Sequence, residues 1–287
     1  MYFVAILIAF ALLLYWGSLR FFQHDEWFEF LHDASVNLTE KSWLVYFITV
    51  IFPTILLMFV LLLVHHKLYD LIYLLLAVGV LIYSLGRTDY NAVITDYLCV
   101  WQKGEYEKLP LVLQAFGNVP VEFGEGLEKT HVTARDCYIY SAFQSVFAVL
   151  FWFVALGPAA VFLYRLNSLF VSRNNWRVAK CIQGCLEWPA ASLASLTFVL
   201  MGSFDKGVSV WFKTIFNGGM SVRNIIHANA LASLGLNMQW LTGEFHEQHD
   251  IQQETILVEK EVFLLMTMVR RSIVFLIFVV AIFQIVI

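Results

Sequence analysis

Apolar runs separated by polar segments set the layout of this chain. Residues 2–15, 43–64, 69–85 and 272–287 are nearly uninterrupted in hydrophobicity, and each predicts a transmembrane helix. The first has no charged residue before it and no small-residue cleavage site after it, so it reads as an anchor or first span rather than a removed leader. Tyr15 and Trp16 mark its interfacial end. Within 43–64, Pro53 sits mid-helix, which membrane helices accept when neighbours satisfy the freed carbonyl. Between the first two spans, Phe21, Phe28 and Leu31 form one stripe and Asp25, Glu29 and Asp33 another. This predicts an amphipathic helix. Its acidity disfavours anionic lipid, so packing against other helices is its expected role.

The stretch from Ser141 to Leu166 is apolar but broken at Leu156-Gly157-Pro158. A straight helix of about 26 residues would reach roughly 39 Å, more than the ~30 Å hydrocarbon core. Proline also lacks an N–H and clashes with the preceding turn. The stretch therefore predicts a strongly kinked span or a re-entrant helical hairpin turning at Gly157-Pro158. Residues 185–204 pose the same choice. Pro189 suits a first helical turn, and Ala190, Ala191, Ser192, Ala194 and Ser195 suit close helix packing. Glu187 leaves only about 15 clean residues, marginal for crossing. Segments 86–136 and 205–269 are polar and mixed in charge. Helical periodicity runs through Tyr90–Lys103, Tyr106–Phe116, Val208–Phe216 and Ile251–Val269, and no strand alternation is sustained. The pattern predicts an all-α, polytopic membrane protein forming a single integrated unit. It has about four transmembrane helices, the hairpin, and a helical cytoplasmic domain.

Composition supports this class. The chain is 60% hydrophobic and 14% charged, against roughly 25% charged in soluble proteins. A net charge of −4 disfavours nucleic acid as a partner; the partner composition implies is membrane lipid. Charge placement orients the chain. With 141–166 and 185–204 shallow, all but Lys67 of the 18 Lys and Arg residues share one side. A full crossing of 141–166 would set Arg87, Lys103, Lys108, Lys129 and Arg135 against Arg165, Arg173, Arg177 and Lys180. The first arrangement predicts termini outside and segments 86–136 and 205–269 in the cytoplasm.

Chemistry is sparse. No phosphate-cradling, dinucleotide, zinc-protease or serine-hydrolase motif occurs, and no cofactor or metal is predicted. Gly124-Glu125-Gly126 lacks strand and helix context, and a loop explains it. Cys181 and Cys185, four apart, read as packing residues. His65 and His66 point to different faces, as a headgroup-level loop would have them. The ligand-type residues of GEFHEQHD at 243–250 suit a solvated loop or helix start as well as a metal. Asp136, Tyr140 and Gln144 are spaced by four and share a helix face. Such polar groups are candidate binding residues, although an interfacial helix start also explains them. Arg165 could meet that face if the hairpin closes, or snorkel to headgroups. Asn224, His227 and Asn229 dot an otherwise apolar helix, as packing contacts or as part of the same binding cavity.

The block FAVLFWFVALGPAAVFLYRL, followed by LEWPAASLASLTFVLMG, resembles the bacterial AmpE family across essentially the whole chain. That family is tied to β-lactamase induction and encoded beside a cell-wall-recycling amidase. Both blocks are also similar to the CobD/CbiB membrane enzymes of cobalamin synthesis. The resemblance implies a multi-pass protein of the bacterial inner membrane, and a regulatory role through a muropeptide-like ligand or a protein partner. In the CobD/CbiB enzymes an acidic run near ESVAENTVDG precedes the LFW block. Matched without gaps, its first Glu falls on Asp136, while its second Glu, Asn and Asp fall on Tyr140, Ser141 and Gln144. Their acidic turn after the first helix is replaced by Trp16-Gly17-Ser18. The resemblance thus implies the scaffold and speaks against inherited catalysis, leaving an enzyme with an altered site as the alternative. It implies no oligomeric state.

Overall fold

The apolar runs and their polar interruptions become helices throughout the computed structural model, which describes residues 2–16, 23–67, 70–86, 89–117, 126–216, 219–235 and 251–286. In chain order these are α1 (Tyr2–Trp16), α2 (Glu26–Leu38), α3 (Ser42–Tyr46), α4 (Phe52–Lys67), α5 (Asp70–Ser84), α6 (Tyr90–Gln102), α7 (Leu109–Gln114), α8 (Leu127–Ala142), α9 (Ala148–Leu156), α10 (Pro158–Arg173), α11 (Arg177–Met201), α12 (Phe204–Ile215), α13 (Val222–Leu234) and α14 (Ile251–Val286). Single π-helical turns, Phe47–Ile51 and Phe143–Phe147, join α3 to α4 and α8 to α9. No strand occurs among the described residues.

The chain divides into two compact units. One holds Met1–Arg87, Ala148–Ala190 and Val280–Ile287, the other Thr88–Phe147 and Ala191–Val279. Each unit is assembled from segments far apart in sequence.

In the first unit α10 is the central element, packed against α4, α5, α9 and the first π turn, while α1 lies on α5. Of the stripe expected to pack, Phe28 is buried with Val45, Tyr46, Val50, Leu166, Phe170 and Ala179, Leu31 is half-buried and Phe21 lies outside the described residues; His32 and Ser35 complete the buried face of α2. The π turn lies just before Pro53. Widening the helix there accommodates the missing N–H, and the Thr54 hydroxyl donates to the Val50 carbonyl at 2.7 Å. The break at 157 is a true turn. Gly157 adopts φ 83°, ψ −168°, and Pro158 is the first residue of α10. That backbone region belongs essentially to glycine. Gly157→Ala is expected to lower stability by about 1–3 kcal/mol, read as a fall in the melting temperature of the purified protein in detergent.

In the second unit α6, α7 and α13 pack on α8, and α12 packs on α13. The approach between α11, α12 and α13 is close. A Cβ on Gly207 would stand 2.9 Å from Val199 Cγ2 and 3.2 Å from Ser233 Oγ.

Four continuous helices are long and apolar enough to cross a membrane: Ser42–Val64, Leu127–Leu156, Arg177–Met201 and Thr255–Ile282. They differ from the four runs read as spans. The helices of 2–15 and 69–85 are shorter, 15 residues each. The run 272–287 is the end of the 36-residue α14, because Arg270 and Arg271 interrupt hydrophobicity but are good helix formers. The first arm at 141–156 is likewise the end of a 30-residue helix. Pro189 lies inside α11 rather than in a first turn; beside it the Trp152 indole donates to the Leu186 carbonyl at 3.1 Å. Cys181 and Cys185 are exposed, which removes the packing role read for them. His65 and His66 fall in the last turn of α4 instead of a loop; their side chains lie outside the described residues, as do GEFHEQHD, Gly17, Ser18, Gly124 and Glu125.

Candidate functional site

Polar side chains of the second unit gather on two neighbouring stripes of α8. His131 and Arg135, four apart, form the first, and Asp136 and Tyr140 the second, which Gln144 of the following π turn extends.

The first stripe is buried against α6, α13 and α14. Arg135 Nη1 donates to Glu261 Oε1 at 2.7 Å, and Arg135 Nε donates to His227 Nε2 at 3.3 Å. His131 lies between Tyr97, 3.0 Å from its Nδ1, and Glu261 Oε2, 3.3 Å from its Nε2. Burial, with the Glu261 charge adding, pushes the Tyr97 phenol well above its usual pKa. It therefore keeps its proton and donates to Nδ1, which leaves the Nε2–H to donate to Glu261. Arg135 is 2% exposed and His131 5%, so this stripe is a closed polar core.

Burial first, then the Arg135 guanidinium, holds the His227 imidazole below its ordinary pKa, at about 4. Asp136 and Glu261 oppose this, and Arg223 adds to it. The folded state thus binds fewer protons than the unfolded one between about pH 6.5 and 4, so stability falls as pH drops through that window. The loss is expected to reach on the order of 2 kcal/mol by pH 4. Thermal unfolding from pH 7 to 4 should show it, with a flatter profile in His227→Gln.

The second stripe is half-buried and organised by Arg223 of α13. Its Nε pairs with Asp136 Oδ2 at 2.5 Å, its Nη2 donates to Cys137 Sγ at 3.2 Å, and its guanidinium lies 5.1 Å from the Tyr140 ring centroid. Gln144 Nε2 donates to the Tyr140 hydroxyl at 2.9 Å. Asp136, Tyr140 and Gln144, grouped by their spacing, are thus one cluster in the fold.

The other two predicted residues lie elsewhere. Asn229 is wholly buried in the α12–α13 contact, where its Nδ2 donates to Thr214 Oγ1 and to the Ile225 carbonyl, both at 2.8 Å. Arg165 belongs to the first unit. Its Nε is buried there without a hydrogen-bond partner among the described residues.

Sequence reasoning missed Arg223, Glu261, His131 and Arg135. The four-residue spacing of His131 and Arg135 could have marked them, but nothing local pairs them with residues 92 and 126 positions away. A second polar chain was also missed, in the first unit. Tyr46 donates to Asn167 (2.9 Å), Asn167 to Gln183 (2.6 Å) and Gln183 to Glu187 (2.7 Å), whose carboxylate also accepts from Tyr164 at 3.3 Å. Glu187, read only as a limit on a span, is 2% exposed.

Among the described residues no three His, Cys, Asp or Glu side chains gather as a metal-holding group. Asp136 and Glu261 are each ion-paired to an arginine.

Fold and site together define an all-helical polytopic protein of membrane type with a polar cluster on α8. Over 88 residues the chain is 28% identical to the cobalamin biosynthesis protein CobD of Stutzerimonas stutzeri (strain A1501). The match covers 27% of this chain and 29% of that protein. No protein family profile and no solved structure matches the chain.

Proposed function

We propose that the chain is a non-catalytic, AmpE-type regulator on a CobD-like scaffold. It acts in the bacterial inner membrane, linking cell-wall recycling to β-lactamase induction. One observation carries this reading. Where the CobD/CbiB run has its first acid, Asp136 is ion-paired to Arg223, and where it has its second, Tyr140 lies beneath that guanidinium. A carboxylate pair has been replaced by a self-neutralised arginine–aromatic cluster, which can recognise a polar ligand but lacks two acids to hold a metal or activate an acyl group. The ligand class is a muropeptide-like molecule, or a protein partner of the same pathway.

In a strain with inducible β-lactamase, replacing the native gene by Arg223→Ala is expected to change induced activity several-fold, to the level that deleting the gene gives. Lys108→Ala, which removes an exposed pair with Glu105, should leave it unchanged. Equal induction in deletion and wild type would end the regulatory reading. The likeness to CobD favours one alternative, an enzyme with an altered site. Rescue of a cobalamin-assembly mutant by this gene would establish it; no rescue is expected.

A further inference from the structure

The helix α12 has three distinct faces. Gly207 and Thr214 are buried, fixing it to Val199 of α11 and to Ser233 and Asn229 of α13. A second face is aromatic and outward. Phe204, Phe212 and the capping Phe216 are 54%, 52% and 79% exposed, with Val208 and Ile215 along the same line. The Phe212 and Phe216 rings stack at 6.3 Å with planes 6° apart. The third face carries Lys206, Ser209 and Lys213, all exposed. An aromatic stripe bordered by lysines, on a helix anchored by its remaining face, is what lying in a membrane interface requires.

We propose that α12 is an interfacial helix. Its phenylalanine stripe sinks into the boundary between headgroups and acyl chains, and Lys213 reaches toward lipid phosphates while Lys206, beside it, donates to the Gly235 carbonyl at 3.3 Å. The occupant of this face is the bilayer, on two grounds. First, α12 begins three residues after Met201, the end of an α-helix long and apolar enough to cross. That helix also exposes apolar side chains of its own, Leu193 and Leu200. Second, charge decides the orientation. Were α12 to plunge along the membrane normal, Lys213 would lie roughly 15 Å deep at 1.5 Å per residue, with no acidic partner among the described residues and at high cost. Lying flat keeps both ammonium groups in water and the phenylalanines at the lipid boundary, and it leaves exposed Asp205, in the first turn on the phenylalanine side, at headgroup level.

The test uses the full chain in nanodiscs of phosphatidylcholine and phosphatidylglycerol. Exposed Cys99, Cys181 and Cys185 are replaced by alanine and buried Cys137 is kept. Spin labels are placed by Phe204→Cys, Phe212→Cys, Phe216→Cys and Lys213→Cys. The three phenylalanine positions are expected to share one shallow depth, with oxygen accessibility several-fold above that of a water-soluble nickel chelate, and position 213 to show the reverse. A steady increase in depth from 204 to 216 would overturn the proposal in favour of an inserted hairpin. Water accessibility at all four would overturn it in favour of a protein-facing or solvated stripe. If the substituted chain does not fold, the unmodified protein in nanodiscs carrying diazirine phospholipid decides the matter. Crosslinks within 204–216 are expected, and their absence rejects the assignment.

Discussion

Glu261→Ala will destabilise the protein by about 3–5 kcal/mol, the usual loss when one member of a buried ion pair is removed. The variant strands two groups at once. Arg135, 2% exposed, keeps its charge and loses the oxygen 2.7 Å from its Nη1. His131 loses the acceptor of its Nε2–H. Neither can turn to water without opening the packing of α8 against α14. Denaturation in detergent should show the fall directly. The loss belongs to the unpaired charge rather than to the pair's own attraction, so Arg135→Met combined with Glu261→Leu should recover a large part of it. A double variant as unstable as Glu261→Ala would place the energy in shape rather than in charge.

Gly202→Ala is expected to cost about 3 kcal/mol, at the upper end for overpacking. The added Cβ would stand 2.3 Å from the Ser233 carbonyl oxygen and 2.8 Å from Ser233 Cβ. The first obstacle is backbone, and it cannot rotate aside: the same carbonyl accepts from Ser203 N at 2.6 Å. That bond ties the α11–α12 connection to α13, so relief requires moving α13. A drop in melting temperature with α-helical circular dichroism retained is the expected outcome. A neutral effect would mean that α13 slides freely.

What the sequence made legible was local. The turn at Gly157-Pro158 follows from two residues whose backbone limits are known without any neighbour, and α6 and α7 follow from periodicity over about ten residues each. The grouping of Asp136, Tyr140 and Gln144 was readable because a four-residue spacing is a helix-face statement. Arg223 was not, because no spacing rule reaches from 136 to 223. Periodicity also could not separate His227, which meets Arg135, from Asn229, which fills a contact with α12: both are polar residues on one helix. The apolar runs misled where helices continue through polar residues. Glu187 in α11 and Arg270-Arg271 in α14 look like boundaries to a hydropathy reading, yet neither residue type breaks a helix.

The π turn at Phe47–Ile51 makes the place of a one-residue deletion decisive for this membrane helix. A π turn holds one residue more than an α turn, so deleting any one of those five positions would leave a regular and seemingly milder helix. The widened turn already absorbs that residue, so the segments on either side would keep their phase and Tyr46 its bond to Asn167. Pro53 alone would lose the widened turn that accommodates it. A one-residue deletion within α4 would instead rotate everything before it by about 100° and swing Tyr46 off Asn167, opening the polar chain to Glu187 at its first link.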